Sequence, residues 1–187
     1  MGFAPVRRVR EDVQAYVERD PLASRPLEVV LFSPGLHALW CYRVAHLLWR
    51  GERRLVARAL TVLARLVTGV EIHPAADLGR RVVVDHGHGV VVGSTAEVGD
   101  DVLVYHGVTL GSRRPTTGKR HPTVGDGVLL GAGATLLGPI EIGDDCRVGA
   151  GAVVLESHPP DETVVGRPAS RDAPSDPRPD HVSGVPD

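Results

Sequence analysis

Aromatic side chains are scarce in this chain, with two Phe, two Trp and three Tyr among 187 residues. A core without them has to be filled by Val, Leu, Ile and Ala in thin, repetitive layers. Cysteine is scarcer still: Cys41 and Cys146 lie far apart, which argues against a disulfide framework or a cysteine metal cluster. Neither sign of charge dominates, since 21 Lys and Arg face 23 Asp and Glu, and a general nucleic-acid binder needs a basic surplus. No apolar run approaches the roughly 18 residues that span a bilayer. The N-terminal stretch MGFAPVRRVREDV carries charges where a signal peptide needs an apolar run. Val6 also stands where a myristoylation signal needs Ser or Thr. The expectation is a cytoplasmic protein with no nucleic-acid or membrane partner. Turn formers, by contrast, are abundant, with 22 Gly and 15 Pro. Hydrophobic residues make up 42%, too many for a disordered chain.

The first 69 residues have helical periodicity. Val6, Val9, Val13, Tyr16 and Val17 step by three and four, the spacing of one helix face, until Asp20-Pro21 breaks the pattern. Leu36, Leu39, Trp40, Val44, Leu47 and Leu48 repeat it up to Gly51. A third run, Glu52 to Val67, ends near Gly69, a residue suited to a helix C-terminus. From residue 70 the period becomes six. Ile72, Leu78, Val84 and Val90 form one register, and after a slip of two residues Val92, Val98, Val104 and Leu110 form another. After a longer interruption come Val124, Leu130, Leu136, Ile142, Val148 and Val154. Gly often follows the marker at once, and a small or aliphatic residue recurs four places after it, as at Ala76, Ala96, Val128 and Ala134. A six-residue period suits neither a helix nor a hairpin array; it predicts a parallel β-helix of hexapeptide repeats. Each repeat supplies one short strand and a turn, three close a triangular coil, and coils stack at roughly 4.8 Å. The expected organisation is a helical segment over 1–69, a β-helix over 70–167 and a disordered tail over 168–187.

The interruption, with a protruding loop over 112–123, carries Arg113, Arg114, Lys119, Arg120 and His121. A basic loop on a rigid scaffold reads either as a solvated surface or as a binding element. Common nucleotide and hydrolase signatures are absent: Gly118-Lys119 is followed by Arg120 rather than Ser or Thr, and neither G-x-S-x-G nor H-E-x-x-H occurs. Of nine histidines, His37 and His46 fall on helices and read as structural, while His86, His88, His106 and His121 fall on the solenoid or its loop. Zinc-binding β-helix trimers of the γ-carbonic anhydrase type use an H-x-x-x-x-H pair. Here the residue five after His121 is Asp126, so no metal site is expected.

The strings VEIHPAADLG, DHGHGVVVGSTAEVGDDV, YHGVTLG, GKRHPTVGDGV, GAGATLLGPIEIGDD and VGAGAVV, over residues 70–154, resemble the serine O-acetyltransferases. So do RDP at 19–21 and GLHALWCYRVAHLLW at 35–49, and the likeness runs from about residue 11 to 167. The Gly-Ala rhythm is shared by hexapeptide acyltransferases in general; E-I-H-P, D-H-G and K-R-H-P at these spacings mark the serine branch. The resemblance implies an α+β protein whose N-terminal helices precede a left-handed β-helix, with acetyl-CoA as co-substrate and L-serine as acceptor, feeding cysteine biosynthesis. It implies that His86 is the general base, oriented by Glu71. It further implies that Asp20 and Asp85 hold the amino-acid substrate, and that Arg120 and His121 engage its carboxylate. Gly111, Ala132 and Ala150 would let the CoA arm approach the backbone, and Lys119 would meet CoA phosphates, with Arg113 and Arg114 as further candidates. It also implies a homotrimer, alone or as a dimer of trimers, with sites between neighbouring β-helices, and feedback inhibition by cysteine.

The chain departs from the family pattern at several points. Gly93-Ser94-Thr95-Ala96 stands where the family reads G-E-T-A, His88 replaces a small or apolar residue, and Ser112-Arg113-Arg114 replaces small ones. These changes keep a second acceptor open, another hydroxy-amino acid or a specialised metabolite. A non-catalytic or zinc-binding solenoid is the remaining alternative. The chain ends in Asp187, whereas members that dock into the sulfhydrylase end in Ile, so a cysteine-synthase complex is not expected.

Overall fold

The computed structural model describes residues 4–19 and 25–166. Four helices come first: α1 (Ala4–Arg19), α2 (Pro26–Phe32), α3 (Pro34–Arg50) and α4 (Arg54–Thr68). Helix α2 has no counterpart in the sequence reading, because seven residues are too few for a 3.6-residue period to register. Prolines occupy the first helical position of both α2 and α3, where a missing N–H costs nothing. Gly69 ends α4 in the left-handed conformation, φ 74°, with its N–H donated to the Arg65 carbonyl. Asp20 and the tail 168–187 lie outside the described residues.

Fourteen short strands follow, in three parallel sheets. The first face stacks β1 (Glu71–Ile72), β4 (Val91–Val92), β7 (Thr109–Gly111), β10 (Thr135–Leu137) and β13 (Val153–Val154). The second stacks β2 (Asp77–Leu78), β5 (Glu97–Val98), β8 (Thr123–Val124) and β11 (Glu141–Ile142). The third stacks β3 (Val83–Asp85), β6 (Leu103–Tyr105), β9 (Leu129–Leu130), β12 (Arg147–Val148) and β14 (Thr163–Val164). Successive strands visit the three faces in turn up to β13, and β14 resumes on the third face after a single bridge from His158 to Ile142, so the chain builds about five coils of a parallel β-helix, as the six-residue period requires.

The aliphatic markers become three inward columns. Ile72, Val92, Leu110, Leu136 and Val154 align on the first face. Leu78, Val98, Val124 and Ile142 align on the second, and Val84, Val104, Leu130, Val148 and Val164 on the third. Each is buried, and burial of such a side chain stabilises by about 1.5–3 kcal/mol. The glycines after the markers answer to stacking: a Cβ on Gly125 would lie 2.8 Å from the Asp144 nitrogen of the next coil.

Val90 departs from the simple count. Ile72 pairs with Val92, eight residues on from Val84, and Val90 falls in a corner column with Val70, Val108, Ala134 and Ala152. The slip of two residues is therefore an enlarged corner, Asp85 to Gly89, between the third and first faces.

The helices close the first coil, whose strands would otherwise present an open edge. Tyr16 Oη donates to the Val84 carbonyl and accepts from the Val84 N–H; Tyr42 Oη does the same for the Ala76 carbonyl and the Leu78 N–H. Burial pushes both phenols up, Tyr42 to about 12. A Cβ on Gly35 would overlap the Val84 carbonyl, so α3 approaches β3 this closely only with glycine there. Asp12, fully buried, accepts two hydrogen bonds from Arg43 at 2.9 and 2.7 Å and ties α1 to α3. Among the described residues no helix is long and apolar enough to cross a membrane.

Candidate active site

The enlarged corner carries the proposed base. Asp85 ends β3, and His86 follows with φ 56°, a left-handed conformation that a non-glycine residue adopts at a cost of about 1–2 kcal/mol. Gly87 and Gly89, at φ 33° and 78°, complete the turn. The His86 side chain is 76% exposed, with Nε2 3.9 Å from Asp85 Oδ1. Its ring meets His106 edge-on at 6.3 Å. Both Asp85 and His86 line a cleft of about 470 Å³ bounded by Tyr16 and Arg19 of α1 and by Phe32, Ser33 and Gly35. Asp20 follows Arg19 directly, so the cleft is bounded by the last described turn before it.

Glu71 belongs to the same coil, yet its carboxylate bonds Arg65 of α4 at 2.7 Å. The acid within 4 Å of the His86 ring is Asp85. Further up the same edge, His88, His106, Ala132 and Ala150 occupy equivalent corner positions. The N–H groups of Gly107, Gly133 and Gly151 bond the carbonyls of His88, His106 and Ala132 in turn. Ala132 and Ala150 thus leave the upper part of this edge low, beside the exposed base.

The other residues gather on the opposite edge of the first face. Gly111 ends β7, and residues 112–122 run out from there before β8. The loop bears a basic hollow of about 320 Å³ lined by Arg113, Arg114, Lys119 and Arg120 with Gly138 and Pro139. Lys119 is tethered to Glu97 of β5 at 2.9 Å. The Arg120 guanidinium donates to the Thr116 carbonyl at 2.9 Å and to Ser94 Oγ at 3.1 Å. His121 is no surface loop residue: it is 7% exposed, folded over Gly93 at the corner of the second coil. Burial first, then Arg120 and Lys119, push its pKa down.

Two groups of candidate residues therefore flank one face. Asp85, His86, Ala132 and Ala150 lie on one edge, and Gly111, Arg120 and His121 on the other. About six residues separate the edges, up to roughly 20 Å of extended chain. Among the described residues no group of three or more His, Cys, Asp or Glu is arranged to hold a metal ion. His37 and His46 donate to the carbonyls of Val30 and Pro74, the structural role expected of them. The sequence reading placed Tyr16 only on a helix face and gave no role to Gly35 or Thr95. The signal for Gly35 lay in Ser33-Pro34-Gly35, a helix start with no side chain on its third residue, whereas the two hydroxyls gave none.

Residues 121–156 match the family model described as bacterial transferase hexapeptide (six repeats). The chain is 55% identical over 171 residues to the serine acetyltransferase of Mycobacterium tuberculosis, covering 91% of this chain and 75% of that one. Soybean serine acetyltransferase complexed with serine superposes with a TM-score of 0.84 at 48% identity, over 88% of this chain and 68% of that chain. Serine acetyltransferase from Brucella abortus, in complex with coenzyme A, gives 0.85 at 44% identity over 88% and 66%. The chain thus spans about two thirds of each solved relative. At such identity over most of its length, this chain belongs to the serine acetyltransferase family.

Proposed function

We propose that this protein transfers the acetyl group of acetyl-CoA to the hydroxyl of L-serine, giving O-acetylserine for cysteine biosynthesis. The observation that carries the reading is the exposed His86 imidazole beside Asp85 at the mouth of the cleft under α1 and α2. A serine hydroxyl is a weak nucleophile at neutral pH, so its proton has to leave as the oxygen attacks. His86 takes that proton while the Cβ–O⁻ adds to the thioester carbonyl. Collapse of the tetrahedral intermediate breaks the C–S bond, and the departing CoA thiolate recovers the proton from His86. No acyl-enzyme forms, and no Ser or Cys of the protein is consumed.

Asp85, with Asp20, holds the substrate ammonium, and Arg120 with His121 binds its carboxylate through charge-assisted hydrogen bonds. Glu71 steadies the His86 imidazole in the assembled site. The basic hollow around Lys119, Arg113 and Arg114 suits CoA phosphates, and Gly111, Ala132 and Ala150 leave room for the pantetheine arm. Because these residues occupy opposite edges of one face, a complete site forms when the His86 edge of one subunit meets the loop edge of a neighbour. A trimer, alone or paired, supplies that meeting with closed symmetry.

Cysteine carries the same ammonium and carboxylate as serine, so it competes for the same clamp; competition kinetics against serine check this. The contact from Arg120 to neutral Ser94 favours a second reading, in which a bulkier hydroxy-amino acid is the better acceptor, and an acceptor screen separates the two. The deciding experiment is thiol release from acetyl-CoA with L-serine. Robust release that His86→Ala abolishes in a folded variant is expected; acetyl-CoA binding without serine turnover overturns the acceptor.

A further inference from the structure

One hydroxyl fastens the end of the basic loop to the second coil. Thr95 Oγ1 accepts the backbone N–H of Arg120 at 3.0 Å and that of His121 at 3.1 Å. Those two bonds fill its lone pairs, leaving its own hydrogen to donate. The partner is His121 Nδ1 at 2.8 Å, and the Thr95 N–H points at the same nitrogen from 3.2 Å. A proton on Nδ1 would oppose the Thr95 N–H and strip the hydroxyl hydrogen of its acceptor. Nδ1 is therefore the acceptor, and the ring proton resides on Nε2.

The surroundings keep that ring neutral. Arg120 and Lys119 flank it on the loop, Lys119 offset by Glu97, while His73, itself beside Arg58, faces it from the first coil. Burial adds to the same effect. The Arg120 guanidinium, by contrast, bonds only neutral oxygens of Thr116 and Ser94 and pairs with no carboxylate among the described residues. Its charge remains available to an anion. A neutral N–H donor and an uncompensated cation thus lie side by side, both placed by Thr95.

We propose that Thr95 is a positioning residue for the acceptor, holding the Arg120–His121 backbone and locking His121 as the Nε2–H tautomer that donates to an amino-acid carboxylate. This rests on the reading that Arg120 and His121 bind that carboxylate.

The test uses the full chain and two variants, Thr95→Val and Thr95→Ser, with separate titrations of L-serine and acetyl-CoA. Loss of the hydroxyl raises the serine KM about tenfold in Thr95→Val, the scale of a lost hydrogen-bond set. Its kcat at saturating serine and its KM for acetyl-CoA stay within about twofold, and Thr95→Ser restores the serine KM. Long-range ¹H–¹⁵N spectra show the His121 proton on Nε2 in the parent protein and on both nitrogens in Thr95→Val. An unchanged serine KM in Thr95→Val, or a parent spectrum with the proton on Nδ1, overturns the proposal. So does an equal loss in kcat and both KM values that Thr95→Ser fails to rescue. A parent protein that turns over no serine overturns the acceptor reading together with this one.

Discussion

The ring of His121 lies on Gly93 so closely that a single methyl group there would occupy its place. Gly93→Ala has to push the imidazole out of its pocket at an overpacking cost of about 1–3 kcal/mol. The expected outcome is a rise of about tenfold in the serine KM, with the acetyl-CoA KM little changed, read by initial-rate titration. His73, on the coil beneath, has a different dependence. Its Nδ1 accepts the Ala75 N–H at 3.0 Å, Arg58 Nη1 stands 3.0 Å from its Nε2, and the Trp49 ring meets it edge-on at 5.2 Å. A second ring proton has no acceptor there, and burial with the Arg58 charge pushes the pKa down to about 4. Between about pH 4 and 6.5 the folded ring binds fewer protons than the unfolded one, so stability is present above 6.5 and lost as pH falls toward 4. The melting temperature should fall across that window, and less steeply in His73→Gln.

Helix α1 is held to the solenoid largely by charge. Arg81 donates to Glu18 at 2.6 Å and to Asp101 at 2.7 Å, Arg80 to Glu11 at 2.6 Å, and Arg19 to the Val102 carbonyl at 3.2 Å. These contacts order the last turn of α1 directly before Asp20, on the wall of the His86 cleft. They are exposed to solvent, so each contributes little and weakens with salt. Arg81→Ala should therefore speed amide hydrogen exchange over residues 14–19 while leaving the aliphatic columns protected. Concentrated salt should produce the same pattern in the parent protein. Tyr16 and Tyr42, which cap the first coil through buried bonds, should be insensitive to salt.

At the scale of the whole molecule, α4 presents an apolar stripe left uncovered among the described residues. Leu55, Leu66 and Val67 of α4 are 84, 78 and 75% exposed, and Val56, Val62 and Leu63 extend the same stripe at helical spacing. Such a contiguous patch marks an association surface, and a site shared between neighbouring subunits, as proposed, needs self-association. Paired Leu63→Glu and Leu66→Glu substitutions should yield a smaller species by light scattering, with retained far-UV circular dichroism and no serine turnover. Mixing chains bearing His86→Ala with chains bearing His121→Ala, each inactive alone, should restore activity at about a quarter of the sites. No recovery in verified mixed assemblies would mean that one chain completes its own site.

The sequence by itself determined the repeat and most of the chemistry. A six-residue aliphatic period admits one way to bury those side chains, and the paired motifs at 71, 85–86 and 120–121 carry enough specificity to name a family. What it did not contain was the third dimension of each corner. Val90 counts as a marker until strand pairing sets Val92 opposite Ile72. His121 reads as a loop residue that engages a carboxylate, and only stacking shows Gly93 and Thr95 beneath it. Glu71 is named as a partner for His86, and only helix docking shows that α4 also delivers Arg65 to it. Hydrophobic periodicity is a local property and survives in one dimension. Hydrogen-bond partners and tautomers depend on residues that only coil stacking and helix docking bring into contact.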